Sequence, residues 1–491
     1  MMTSRGRYAG ILAAVLVLAS AVVRAQETPP DAKVVFLDNR QGVVDGSTTY
    51  DPATRTCGGG KDRVFTELAK AADALADADV LFVREGVYSR ESSDGLISVH
   101  GSRVDYWTGA LAVRASGTPE RRKRVSAYCG ETVVIQAKPG VSHYNPDPDD
   151  TTFRNSSHFY PRPAISIGGS WVDVSGFKTF GQVVISGHDV TLEGCDLGGG
   201  GPHMNQGQVV ALNSNRPGGV YNVVIRNNRI HHSSWGESRA NAAALMCYNA
   251  SFIVENNEFA DNHGADVRIK DTGGQQGRDV VIRFNFFGRS SLAGGGNVGT
   301  GGLNQDKQID RILIHHNVFF EKAVGASTDG DPPGDPPARG MFVFNNTFVN
   351  CRVDAGGWTN ARIHLHNNLS YHTRPNQHYY DVQAKTWDRL DADHNLFFST
   401  AGDTAWRNLY RDRASDLAGW QRHATRDTAS VFRDPGFVRP DGSRPEDFKR
   451  RGAPGTLRDV EGSPHGPVCG AYVTGNEVIG LVPQPPVKPA R

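Results

Sequence analysis

From Asn227 to Phe398 the chain repeats one pattern: an apolar run, a two-residue bend ending in Asn, then a large apolar residue. It reads VVIRNNRI, FIVENNEF, VVIRFNFF, ILIHHNVFF, MFVFNNTF, RIHLHNNLS and DADHNLFF. The Asn falls at Asn228, Asn257, Asn285, Asn317, Asn346, Asn368 and Asn395, with gaps of 29, 28, 32, 29, 22 and 27 residues. A short period repeated this often marks a solenoid. Each phrase is too short for helical periodicity and too β-branched for a helix. Alternation points Val223 and Ile225, Phe252 and Val254, Val280 and Ile282, Ile312 and Ile314, and Met341 and Val343 inward. Two residues after the Asn, Ile230, Phe259, Phe287, Phe319 and Phe348 point inward again. A strand therefore enters, bends, and a second strand leaves with its core face still inward. Asn suits the left-handed backbone that such a bend needs. The residues before the Asn (Asn227, Asn256, Phe284, His316, Asn345, Asn367 and His394) are expected to stack coil on coil as an internal ladder of amides and rings. The predicted fold is all-β: a right-handed parallel β-helix with an N-terminal helical cap and a C-terminal cap.

The remaining segments fit around this repeat. VVFLD (34–38) predicts a first strand, and VFTELAKAADAL (64–75) predicts a helix able to plug the apolar end of the solenoid. The expected division is a leader (1–25), a cap and first coil (26–90), the β-helix (91–400), a C-terminal capping segment (401–481) and a proline-rich tail (482–491). Residues 138–163 form a polar excursion, read as a lid or cleft wall. Its Asp147, Asp149 and Asp150, like Asp329, Asp331 and Asp335 further on, read better as solvated loops than as calcium ligands.

Composition narrows the function classes. A net charge of +1 leaves no basic excess, so nucleic acid is not expected as a partner. Residues 1–25 carry Arg5 and Arg7, then ILAAVLVLASAVV, then Val23-Arg24-Ala25, the pattern of a secretory signal cleaved near Ala25. No other run approaches a membrane span, so an exported protein, secreted or periplasmic and monomeric, is expected. Export permits disulfides, but the spacing of Cys57, Cys129, Cys195, Cys247, Cys351 and Cys469 fits no zinc motif and leaves their pairing open.

Each coil needs a third strand. The candidates are VVALNS (209–214), ALMCYN (244–249), DVRIKD (266–271), GLNQDK (302–307) and YYDVQ (379–383). With Val267 and Ile269 inward, Asp266, Arg268 and Lys270 point outward, and Asp306 is expected on the neighbouring coil with Asn304 and Lys307 nearby. Tyr248 lies on the preceding coil. The loops after each bend leave at one corner and should stack into a groove. They carry His232, Trp235, His263, Trp358, His372, Arg374 and His378, with His231, Tyr379 and Tyr380. Rings and guanidinium groups beside a long groove suit an extended, anionic sugar chain.

The coils, the corner His263-Gly264-Ala265-Asp266, and Lys270 followed by VVIRFNFF resemble secreted β-helix proteins of the pectate lyase-like superfamily, in particular its alginate and chondroitin lyase members. That resemblance implies a catalytic Lys, an Arg on the next coil, and acidic calcium ligands beside them. Carried over, it makes Lys270 the catalytic Lys if DTGGQQG is an inserted loop. Lys307 falls near the Arg position, Asp266 and Asp306 are the metal ligands, and Arg268 stands where a second acidic ligand is expected. The chemistry implied is β-elimination on a uronate, with Lys270 as base, Arg268 or a calcium ion neutralising the carboxylate, and Tyr248 or His263 returning a proton. Polygalacturonase-like hydrolases share the phrase Arg268-Ile269-Lys270, so a glycoside hydrolase stays open, as does a glycan-binding β-helix without catalysis.

Overall fold

A computed structural model of the chain describes residues 30–89, 96–98, 109–137, 159–161, 163–199, 208–212, 220–233, 243–248, 250–262, 265–270, 279–289, 297–300, 311–326, 340–355, 362–374, 379–382, 390–402, 416–452 and 456–482. Three long parallel sheets dominate it, of 13, 12 and 10 strands. Consecutive coils lie side by side in each: the first sheet holds Val220–Arg226, Ala250–Glu255, Asp279–Arg283, Arg311–His315, Gly340–Phe344, Arg362–His366 and Leu390–Asp393 in chain order. The short strand after each bend, such as Glu258–Ala260 or Val318–Phe320, belongs to the second sheet. The fold is thus a parallel β-helix.

The side chains assigned inward from alternation are all buried in one continuous core, from Val223 and Ile225 through Met341 and Val343. Phe259, Phe287, Phe319 and Phe348 stack ring on ring inside it at centroid spacings of 4.8, 4.7 and 5.0 Å. The bend is left-handed at the expected residues, with φ between 52° and 57° at Asn227, Asn256, Phe284, His316, Asn345, Asn367 and His394.

The internal ladder, however, is built by the residue after the left-handed one. In each coil the backbone N–H and Nδ2 of the second Asn both donate to Oδ1 of the Asn one coil on, from Asn228 through Asn257, Asn285, Asn317, Asn346 and Asn368 to Asn395. Asn395 Nδ2 ends the ladder on Asp427 at 2.9 Å. The left-handed conformation turns the first side chain outward and the second inward, the reverse of the sequence expectation.

Two α-helices occur among the described residues. Leu68–Ala74 is shorter than expected because Arg63–Phe65 pairs as an edge strand instead. The helix buries Leu68, Ala71 and Ala72 against Val34–Leu37, Arg63–Phe65 and Leu111–Val113, strands at one end of the first and third sheets. Leu417–Ala424 is N-capped by Asp416 and sends Leu417, Trp420 and Ala424 into the main core.

The chain after 430 does not stop at that end. It runs back along the outside of the second sheet and the bend corner, forming a second apolar cluster with Phe286, Val318, Phe320, Val349, Leu369 and Tyr371. The outward Asn side chains hold it. Asn367 and Asn345 donate to the carbonyl of Val468 at 3.2 and 3.0 Å, Asn256 donates to Val478 at 2.8 Å, and Asn227 accepts from Val482 N–H at 2.5 Å. Cys195, Cys247, Cys351 and Cys469 are separate buried free thiols; burial pushes each well up in pKa, to about 12 for Cys195 and Cys351.

Candidate functional site

Two of the expected third strands are neighbours on the third sheet. Ala243–Tyr248 and Ala265–Lys270 lie side by side with Tyr248 opposite Lys270 and Met246 opposite Arg268. Val267 and Ile269 are in the core, as alternation required, while Tyr248 and Arg268 are half-buried. The next strand on this sheet is Asn297–Thr300, with Gly299 opposite Arg268, not the GLNQDK stretch. Asp306 and Lys307 lie outside the described residues.

Asp266 departs from its expected outward, exposed position. It is fully buried, with Oδ2 3.1 Å from Lys322 Nζ and Oδ1 accepting from Asn262 Nδ2 at 3.0 Å. Burial raises its pKa, against the opposing pull of Lys322 and Asn262. A buried carboxylate already answered by an ammonium does not fit a surface calcium ligand. Lys322, unmarked in the sequence reading, sits at the corner before Ala323–Ala326, two strands away on the same sheet.

The corner between the second and third sheets is also stacked, with left-handed residues at His232, Asp261, Glu321 and Asn350, while most of the loops expected to form a groove beyond it lie outside the described residues. At its early end His232 Nδ1 lies 2.6 Å from His231 Nδ1, and His231 Nε2 lies 2.7 Å from Asp196 Oδ1. Burial, then the neighbouring His231, lowers the pKa of His232, so the half-buried ring favours its neutral form. Further along, a cavity of about 780 Å³ opens between this corner and the returning tail. Glu321 lines it and pairs with Arg289 at 2.8 Å and with Arg374; Tyr371 and Asp441 line it as well. Arg374 was expected in a binding groove; Glu321, Arg289 and Tyr371 were not, because only the tertiary path of residues 440–443 makes a wall there.

His372 does not face a groove. It is buried edge-on against Tyr379, centroids 4.5 Å apart, and Tyr379 and Tyr380 belong to the core. His231 is buried too. Trp235, His263, Trp358 and His378 lie outside the described residues, as does most of the 138–163 excursion, of which Phe159–Pro161 pairs antiparallel with Leu96–Ser98.

No protein-family model and no curated protein matches this chain. Among solved structures it is similar to pectate lyase Pel9A at 14% identity, over 91% of this chain and 97% of that one, with a TM-score of 0.48. It is similar to PfbA, a surface adhesin of Streptococcus pneumoniae, at 13% identity over 67% and 79% of the chains, TM-score 0.35. A mannuronic acid specific family 6 lyase from human gut microbiota is similar at 10% identity over 70% and 74%, TM-score 0.31. At these values the likenesses carry no part of the functional reading.

Proposed function

We propose that this β-helix protein is a polysaccharide lyase acting on a uronate-containing chain laid across the third sheet. The observation that supports it is the register of Tyr248 with Lys270 on adjacent strands, with Arg268 two residues before Lys270. β-Elimination needs three functions within one sugar's reach. Arg268 pairs with the uronate carboxylate, drawing electron density from C5. Lys270 takes the C5 proton. The C5–H electrons form the C4=C5 double bond, the C4–O bond breaks, and Tyr248 protonates the leaving oxygen. Asp266 is committed to Lys322, so carboxylate neutralisation falls to Arg268 and no step falls to calcium.

A hydrolase is the second reading, because two carboxylates, Glu321 and Asp441, line one cavity. The test is incubation of the purified protein with alginate, pectate, glycosaminoglycans and a neutral glycan. Ultraviolet absorbance of an unsaturated product should rise with a uronate polymer and not with the neutral glycan. New reducing ends without that absorbance would transfer the chemistry to the Glu321 cavity. Inertness toward every polymer would leave a glycan-binding solenoid and remove the lyase reading.

A further inference from the structure

The strand Arg362–His366 reads Arg-Ile-His-Leu-His, and its Ile363 and Leu365 are in the core. His364 and His366 therefore share the outer face of the first sheet. The next strand, Leu390–Asp393, sets Asp391 opposite His364. From these placements we infer that His364, His366 and Asp391 form a binding site for a divalent first-row transition metal ion.

The geometry fits. Asp391 Oδ2 lies 2.9 Å from His364 Nδ1 and 3.4 Å from His366 Nε2, and the three donor atoms lie within 4.8 Å of one another. Ligand bonds of about 2.0–2.2 Å to nitrogen and oxygen set donors about 3–3.5 Å apart, close to the 2.9 and 3.4 Å between Asp391 Oδ2 and the two ring nitrogens. The side chains of His364 and His366 are 13% and 14% exposed, and Asp391 is 57% exposed. The imidazoles are thus held by the protein while the carboxylate and the remaining coordination positions face solvent. Stacking fixes the His364 ring on Phe342, centroids 4.4 Å apart and planes 1° from parallel. His394 and His465 flank His366 at 6.3 and 6.1 Å. The far nitrogens, His364 Nε2 and His366 Nδ1, have no hydrogen-bond partner among the described residues, so no protein group locks either ring in a tautomer that would block its lone pair. Two imidazoles and one carboxylate suit zinc, iron, nickel or copper, not calcium, which takes six to eight oxygens.

The site is separate from the Tyr248–Lys270 face, so its test needs no turnover. Tag-free full-length protein is titrated with zinc by calorimetry and with cobalt by visible absorption. The expected result is one site, with a ligand-field band on cobalt binding. Asp391→Asn and His366→Ala should each weaken zinc binding more than about tenfold and abolish the band. Wild-type affinity in Asp391→Asn, or no binding by the wild-type protein, would overturn the site. Asp391 is exposed enough that its Asn variant should fold normally; if His366→Ala unfolds, the Asp391→Asn titration alone decides.

Discussion

Asp266 and Lys322, 56 residues apart in the chain, meet carboxylate to ammonium at 3.1 Å with both side chains wholly buried. Neither is exposed to the solvent beside the third sheet, so the pair is part of what fixes the spacing of these coils. Removing one partner strands the other charge. Lys322→Met or Asp266→Ala should each destabilise by about 3–5 kcal/mol. The double variant Asp266→Leu/Lys322→Met should cost much less than the sum. Chemical denaturation of the three variants measures this, and additive losses would show that the two charges do not depend on each other.

The Asn ladder predicts a contrast between neighbouring positions. Asn317 donates from N–H and Nδ2 to Asn346 Oδ1, and its own Oδ1 accepts twice from Asn285, at 2.9 and 3.0 Å. Asn317→Ala leaves buried groups unanswered on both sides and should cost roughly 3 kcal/mol or more. Asn345→Gly loses one outward hydrogen bond, to Val468, yet keeps the left-handed backbone; it should cost about 1 kcal/mol. Equal melting temperatures for the two variants would remove the ladder from the account of stability.

The returning tail predicts what truncation does. Ending the chain before Asp459 uncovers one side of the cluster formed by Phe286, Val318, Phe320, Val349, Leu369 and Tyr371. The shortened protein should melt earlier and bind a hydrophobic dye. Full stability without those residues would mean that the tail merely rests on the sheet.

For the proposed elimination, Tyr248→Phe removes the proton donor but little packing, and should lower kcat by about 10²–10⁴-fold. Lys270→Ala should abolish turnover with the melting temperature nearly unchanged, and Arg268→Ala should depend on the charge of the polymer. Full turnover in Lys270→Ala on a confirmed substrate would withdraw the base assignment.

Acid sensitivity has a defined contributor at the first coil. Burial pushes the Asp38 carboxyl up, but Arg55, at 2.9 and 2.6 Å, and the Tyr50 hydroxyl, at 2.6 Å, outweigh it and hold the pKa below its ordinary value. A depressed native pKa stabilises fully above the unfolded value of about 3.9, and that stabilisation fades as pH falls through the native value. The stability gap between wild type and Asp38→Asn should therefore be constant in the neutral and weakly acid range and shrink below about pH 4. A gap that instead widened at low pH would reverse the assignment.

The sequence by itself determined the coil. Alternation around Asn257 or Asn317 fixes which side chains enter the core, because a strand has only two faces and a one-residue slip would bury Ile253 or Leu313 in place of Val254 or Ile314. It also located the left-handed residue, since a bend between two strands at that point needs one. It chose the wrong member of the pair for the ladder: inward and outward differ by one backbone rotation at Asn256, which local chemistry leaves open when both residues are Asn. Which third strands become neighbours depends on where loops are inserted between coils, and Asn297–Thr300 displaced the GLNQDK stretch on that account. The burial of Asp266 by Lys322, the Glu321 cavity and the meeting of His364 with Asp391 all join residues from different coils or from the returning tail. Those contacts depend on how the coils stack and where the tail returns, and the one-dimensional pattern carries neither.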